Sequence, residues 1–378
     1  LVLVALVVGA LGGALQDGAA ATFDPIVRDG IARGAYPGAA LVVGRHDRIL
    51  FAGAYGRLTW SPSGATVTVD STLYDLASVT KVVGTTTALM LLVERGRVAL
   101  DSPVTRYVPE FAGMGKTGIT VRHLLNHTSG LRGTMPLYKD AADRAAALRL
   151  VFEATPIVPT GSRVIYSDLN AILVGEIVAR AAGEPLETFV TREVLEPCGL
   201  RQTLYRPPRA VHRRVAPTGV WHGVPSAGVV HDLNAVKLGG VAGHAGLFAT
   251  AHDLARFAQI MLAGGVTPEG RRVVRAETIG IFTAVSVPAR RRDSARALGW
   301  QALPTDEEES SAGRLLGPRT YGHTGFTGTS IWIDPDRDLF VVLLTNRVYV
   351  PRARRPFTVL KEVRGRVADA AARMVDGR

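Results

Sequence analysis

Tyr74-Asp75-Leu76-Ala77-Ser78-Val79-Thr80-Lys81 leads into a run in which Val79, Val82, Val83, Thr86, Met90 and Val93 recur at the spacing of a buried helix, and Gly96 supplies its stop. Ser78 then stands at the helix start. Residues three apart on a helix share a face, so the Lys81 amine comes within hydrogen-bond reach of the Ser78 hydroxyl. That is the geometry of a nucleophile beside its base: a serine hydroxyl attacks poorly until a neighbour takes its proton. A lysine serves only if its pKa falls well below the usual value of about 10.4. Apolar burial and the positive end of the helix dipole both act in that direction, so a depressed Lys81 is expected. Only five of the 44 basic residues are lysines, and an arginine could not replace one here because it stays protonated. The bland alternative is a serine cap followed by a solvated lysine.

The chain on either side of this helix sets the architecture. Residues 23–34 have helical spacing and end in Gly, and 38–44 and 49–56 are two apolar runs joined at His46-Asp47-Arg48, which predicts a helix and then a β-hairpin. Residues 57–72 read as a loop. Helices are expected over 141–152 and 169–182, the latter closed by Gly183. Late in the chain the period changes to that of strands, over 297–303, 321–324, 329–333 and 339–345, with a turn at 334–338 and a closing helix over 357–375. Strands at both ends with helices between them predict an α/β (α+β) protein: one antiparallel sheet flanked by N- and C-terminal helices, with a large helical insertion. Residues 23–80 and 295–378 are expected to form the discontinuous sheet domain and 81–294 the helical one. An active-site cleft opens between them, with Ser78 on its floor.

Composition narrows the class. At 378 residues, 47% hydrophobic and 20% charged, the chain is globular. Its net charge of +11 comes from arginine spread along the whole length, and the clusters at 290–292 and 352–355 lack interleaved aromatics, so no nucleic-acid partner is expected. Residues 1–15 are almost wholly apolar, which reads as a clipped signal peptide, with a short membrane anchor or a buried helix as alternatives; residues 1–22 are set apart on that basis. Export to the periplasm or cell envelope is the matching expectation. The single Cys198 rules out an internal disulfide.

Tyr166-Ser167-Asp168 follows a Pro/Gly turn and precedes a helix, so it is either a turn with an Asp cap or a tyrosine aimed into the cleft to share protons with Lys81 and Ser78. Three glycines in 321–329 allow close backbone approach of a ligand at His323-Thr324-Gly325, or mark a bulged edge strand. His123 and His127 lack the glutamate of a metalloprotease helix, and neither a metal nor a cofactor is called for. The Gly-rich stretch 239–248 has no phosphate-loop Lys-Ser/Thr and reads as backbone lining the cleft. No serine has Gly at both −2 and +2, so the nucleophile elbow of α/β-hydrolases is absent.

Ser78-Val79-Thr80-Lys81, Tyr166-Ser167-Asp168 and His323-Thr324-Gly325, in that order, resemble the S-x-x-K, Y-x-N and K-T-G elements of class C β-lactamases, DD-peptidase-type penicillin-binding proteins and family VIII esterases. The resemblance covers roughly residues 24–350. It implies the same split fold, Ser78 as acylated nucleophile, Lys81 as its base and Tyr166 as a second proton shuttle. It further implies the backbone N–H groups of Ser78 and Phe326 as an oxyanion hole, and Asp168, His323, Thr324 and Gly325 as substrate-binding residues. Two positions depart from the pattern. Asp168 stands where the family has Asn, and His323 where many members have Lys, so a permanent charge for a substrate carboxylate is missing. If His323 faces that carboxylate, its imidazolium is expected to fade between about pH 6 and 8. The expected activity is a serine hydrolase of an ester or a D-Ala-D-Ala-like peptidoglycan amide, with β-lactam hydrolysis or a non-turnover β-lactam or wall-binding sensor as alternatives. A monomer is expected.

Overall fold

A computed structural model describes residues 18–113, 115–289, 295–304 and 310–377. The apolar run 1–15 lies outside the described residues; residues 18–22 belong to a helix spanning 18–32. The described strands are β1 (Gly38–Gly44), β2 (Ile49–Gly56), β3 (Tyr74–Asp75), β4 (Leu204–Tyr205), β5 (Gly219–Trp221), β6 (Val224–Ser226), β7 (Leu247–Ala249), β8 (Gln301–Ala302), β9 (Tyr321–Thr324), β10 (Ser330–Asp334) and β11 (Leu339–Thr345).

Every residue of β1 and β11 is buried, because both strands are covered on both faces. Side chains alternate between faces. Ala39, Leu41 and Val43 of β1, with Leu339, Val341 and Leu343 of β11, join one apolar cluster; Ala40 and Val42, with Phe340, Val342 and Leu344, join the other. The two strands pair antiparallel at the centre of a six-stranded sheet of order β2-β1-β11-β10-β9-β8. The first two strands come from the N-terminal end of the chain and the other four from the C-terminal end, so one sheet closes the chain.

The outer face of this sheet is covered by the helix over 18–32, through Phe23 and Val27, and by Pro356–Asp376, through Leu360, Val363, Val367 and Ala371. Removing a side chain such as Leu360 from that layer costs about 2–5 kcal/mol. The inner face packs on Ala251–Leu262, and its apolar cluster runs without a break into Thr87–Glu94 and Asp168–Ala182. The helices between residues 81 and 294 therefore share one core with the sheet. β3 and β7 also pair, which ties the segment before Ser78 to the Gly-rich stretch.

One strand is shorter than its periodicity predicts. Of residues 297–303 only Gln301–Ala302 pair as β8. Gly299 adopts φ +84 and donates its N–H to Leu125 O at 3.0 Å, so the chain turns before the strand begins. The closing helix and the hairpin of β1 and β2 lie where the periodicity places them.

Candidate active site

Ser78 sits in a single 3₁₀ turn, Ala77–Val79, directly after β3. Ala77 has φ +45, a left-handed conformation that costs a residue with a Cβ roughly 1–2 kcal/mol. The neighbours hold it there. Asp75 Oδ1 accepts the Ala77 N–H at 2.8 Å, and its Oδ2 accepts the His231 N–H at 2.7 Å. Thr327 Oγ1 donates to Asp75 O at 2.7 Å, and Thr329 Oγ1 to Leu76 O at 2.9 Å. The turn is thus stitched to the connection between β9 and β10 and to the loop before Leu233. Asp75 is fully buried, which pushes its carboxyl up to about 6.

Lys81 begins a stretch of wide, π-helical turns, Lys81–Thr86, the kind of local departure from α geometry that often marks a functional site. Its ammonium uses all three donors: to Ser78 Oγ at 2.9 Å, Asp168 Oδ1 at 2.8 Å and His244 O at 3.2 Å. Burial pushes the ammonium towards neutrality, but the Asp168 charge, and then Tyr166, outweigh it and hold Lys81 above the ordinary lysine value. The expectation of a depressed lysine therefore fails, and the reason is one residue. Asp168 is itself pushed up by burial, yet the Lys81 charge, followed by His244, brings it below the usual carboxylate range.

Asp168 reaches Lys81 because it is not the helix cap. Ser167 caps Asp168–Ala182 by accepting the Asn170 N–H, and Asp168 is the first helical residue, its own N–H bound to Gly133 O at 2.7 Å. The carboxylate, freed from capping, turns into the cleft.

Tyr166 is the most crowded group in the site. Its ring lies 4.8 Å from that of His127 and 5.9 Å from that of His323, with Lys81 Nζ 5.0 Å and Arg296 Cζ 5.3 Å from its centroid. The Tyr166 hydroxyl is buried and has no hydrogen-bond partner among the described residues. His127 Nδ1 accepts the Ser167 N–H at 3.2 Å, and burial first, then the cations Arg296 and Lys81, hold this histidine well below its ordinary value.

His323 is buried in β9. Its Nδ1 lies 2.9 Å from Thr324 O, a carbonyl that can only accept, so Nδ1 carries the proton and the buried Nε2 is a bare acceptor without a partner among the described residues. Burial first, then Lys81 and Arg296, bring it down to about 3. The ring is neutral at any working pH, so it does not supply the imidazolium that its sequence position invites. Thr324 and Gly325 line the same cleft. A Cβ at Gly325 would lie 2.1 Å from Thr329 Oγ1 and 2.4 Å from Leu76 O, so only glycine lets this edge close on the Ser78 turn.

Ser78, Tyr166, Asp168 and His323 line a cleft of about 730 Å³, within the range of small-molecule sites. Four groups of the site had no signal in the sequence. Asp232 takes His244 Nε2 at 2.9 Å and is held at about 2 by it despite burial. His231, Arg296 and Asn234 also line the cleft. None stands at a diagnostic spacing from Ser78; only His244 lay in a stretch already read as cleft lining.

A family model described as beta-lactamase matches residues 23–364. The protein of Escherichia coli strain K12 provisionally named D-alanyl-D-alanine carboxypeptidase is 33% identical over 358 residues, covering 84% of this chain and 80% of that one. The N-acetylmuramyl-L-alanine amidase of Bacillus subtilis strain 168 is 33% identical over 366 residues, covering 87% and 81%. Among solved structures, EstCE1, a hydrolase with promiscuous acyltransferase activity, superposes with a TM-score of 0.75 at 21% identity, covering 96% of this chain and all of the other.

Proposed function

The chain belongs to the beta-lactamase family and is a serine hydrolase of that family, and from that premise we propose that it hydrolyses an uncharged carboxylic ester through an acyl-enzyme on Ser78. In this reading Ser78 Oγ attacks the ester carbonyl as its proton passes to the Tyr166 oxygen, which in the same motion hands its own proton to the alkoxy oxygen of the ester. Lys81, held as the ammonium, donates to Ser78 Oγ and stabilises negative charge as it forms there. The backbone N–H groups of Ser78 and Phe326 receive the oxyanion. Collapse of the tetrahedral intermediate breaks the C–O bond, and the alkoxy oxygen leaves as the alcohol with the proton that Tyr166 gave it, Tyr166 having kept the one from Ser78. Water then repeats the sequence against the acyl group, giving the acid and free Ser78.

The observation that carries the choice of an uncharged ester is His323. A substrate carboxylate beside β9 would meet a neutral ring that presents a bare acceptor, and two ionised carboxylates, Asp168 and Asp232, line the same cleft. A second reading, a D-Ala-D-Ala carboxypeptidase, is favoured by Arg296, whose guanidinium lines the cleft 5.3 Å from the Tyr166 ring and suits a carboxylate. The name of the Escherichia coli relative points the same way.

Short-chain nitrophenyl esters, D-Ala-D-Ala peptides and a chromogenic cephalosporin, each assayed with the parent and with Ser78→Ala, separate these readings. The proposal expects Ser78-dependent turnover of the esters at the highest kcat/KM. Preferred turnover of the peptides would transfer the assignment to the carboxypeptidase. Stoichiometric acylation by the cephalosporin without release would make the protein a sensor.

A further inference from the structure

Phe326 is 63% exposed, yet it is not loose. The His231 ring stacks on it at 5.8 Å with 20° between planes, and the guanidinium of the buried Arg347 lies 4.7 Å from its centroid and donates to Phe326 O. The same guanidinium lies 5.3 Å from the ring of Phe357, which is 48% exposed at the start of the last helix. One buried cation therefore fixes two aromatic rings that both line the cleft. Two residues beyond His231, Leu233 is 52% exposed; next to it Asn234 Oδ1 accepts the Tyr138 N–H at 3.1 Å, which sets Tyr138 on the same wall. The apolar rim thus runs from Tyr138 and Leu233 through His231 and Phe326 to Phe357.

We infer that this rim is a built subsite for an apolar alkyl or aryl group of the substrate, making the preferred substrate an ester with a sizeable uncharged apolar half. The inference rests on the ester reading above. An exposed apolar patch inside a catalytic cleft marks a place where substrate surface is buried. Here the patch begins at Phe326, whose own backbone follows the glycine that closes on the Ser78 turn, so a group seated on it belongs to the molecule whose carbonyl meets Ser78. Arg347 lowers the cost of binding because the rings are already fixed. The apolar half is either the acyl chain or the alcohol, and the rim would recognise both by the same chemistry.

Two ester series distinguish them: nitrophenyl acetate to nitrophenyl octanoate, which varies the acyl chain, and ethyl acetate to octyl acetate, which varies the alcohol. In the parent, kcat/KM should rise by about two- to fourfold per methylene in one series, and Phe357→Ala should flatten that rise. Two flat series, or a rise that Phe357→Ala leaves unchanged, would overturn the subsite while leaving Ser78-dependent hydrolysis standing. Loss of turnover with every ester would count against the hydrolase reading, so binding is measured separately. In the Ser78→Ala protein, octyl acetate and methyl octanoate are titrated against the bound fluorescent probe N-phenyl-1-naphthylamine. Displacement by one of them should weaken about fivefold or more in Ser78→Ala/Phe357→Ala, and equal displacement in the two proteins would overturn the inference.

Discussion

Lys81 Nζ and Asp168 Oδ1 stand 2.8 Å apart, with the Lys81 side chain 4% exposed and that of Asp168 24%. This pair decides the protonation state of the site. An amide at position 168 would accept a hydrogen bond from Lys81 without supplying charge, and burial alone would push the amine towards neutrality. The carboxylate reverses the sign.

Asp168→Asn should therefore lower the Lys81 pKa, from above the ordinary lysine value to below it. The measurement is the Nζ titration of Lys81 by heteronuclear NMR. The same variant should lower KM for anionic substrates more than for neutral esters, since one of the two cleft carboxylates is gone. An unmoved Lys81 titration would show that the pair does not control the site.

Tyr166→Phe separates catalysis from folding. The hydroxyl has no hydrogen-bond partner by geometry among the described residues, so its removal should cost no more than a typical hydrogen bond, about 1 kcal/mol. If Tyr166 passes protons, acylation should fall by roughly 100-fold or more. Equal acylation rates in rapid-quench experiments would remove Tyr166 from the proton path. Lys81→Ala should differ on both counts, because it also leaves Asp168 buried without its cation.

His323 should not titrate above about pH 4, since burial and its two cationic neighbours hold it at about 3. The ratio of KM for a D-Ala-D-Ala peptide to KM for a neutral ester should stay level from pH 6 to 8 as far as His323 is concerned, the reverse of what an exposed histidine would give. His323→Lys should lower KM for the anionic substrate. A KM ratio that rises over that range in the parent and flattens in His323→Lys would restore the imidazolium.

Asp75 makes stability depend on pH with an unusual sign for a carboxylate. Its folded value, about 6, lies above the usual value of about 3.9, so the folded state holds the proton more tightly than the unfolded state. This group's contribution is most favourable below about pH 4 and is lost as pH rises through 6, on the order of 3 kcal/mol in all. Asp75→Asn keeps one acceptor for the two N–H groups and cannot titrate. Denaturant midpoints from pH 4 to 7 should show the parent losing stability relative to Asp75→Asn across that range. A constant difference would mean that Asp75 titrates as an ordinary carboxylate.

Much of the architecture was legible from local pattern. The unbroken apolar runs in 38–44 and 339–345 report two covered faces, and a three-residue spacing puts Lys81 on the face of Ser78, where the 2.9 Å contact is found. What local pattern does not carry is the balance of charges that meet only in the folded chain. Lys81 and Asp168 are 87 residues apart, and Lys81 and the carbonyl of His244 are 163 apart. Burial is foreseeable for Lys81, but its net effect is not, because nothing local shows that the Asp168 carboxylate, expected to bind substrate or else to cap a helix, meets the Lys81 amine. The same holds for His323, whose identity suggests a switch and whose burial abolishes one. Arg296 and His231 enter the cleft from irregular segments, where no periodicity marks a direction.

The central claim is that acyl transfer runs through Ser78, and the direct measurement is the intact mass of protein quenched in acid during turnover of a nitrophenyl ester. The account predicts a species heavier by one acyl group, carried on the peptide that contains Ser78 and absent from Ser78→Ala, whose fold should survive because the change removes a single hydrogen bond from Lys81, about 1.5–3 kcal/mol. An acyl group on any other residue, or undiminished turnover by folded Ser78→Ala, would contradict it.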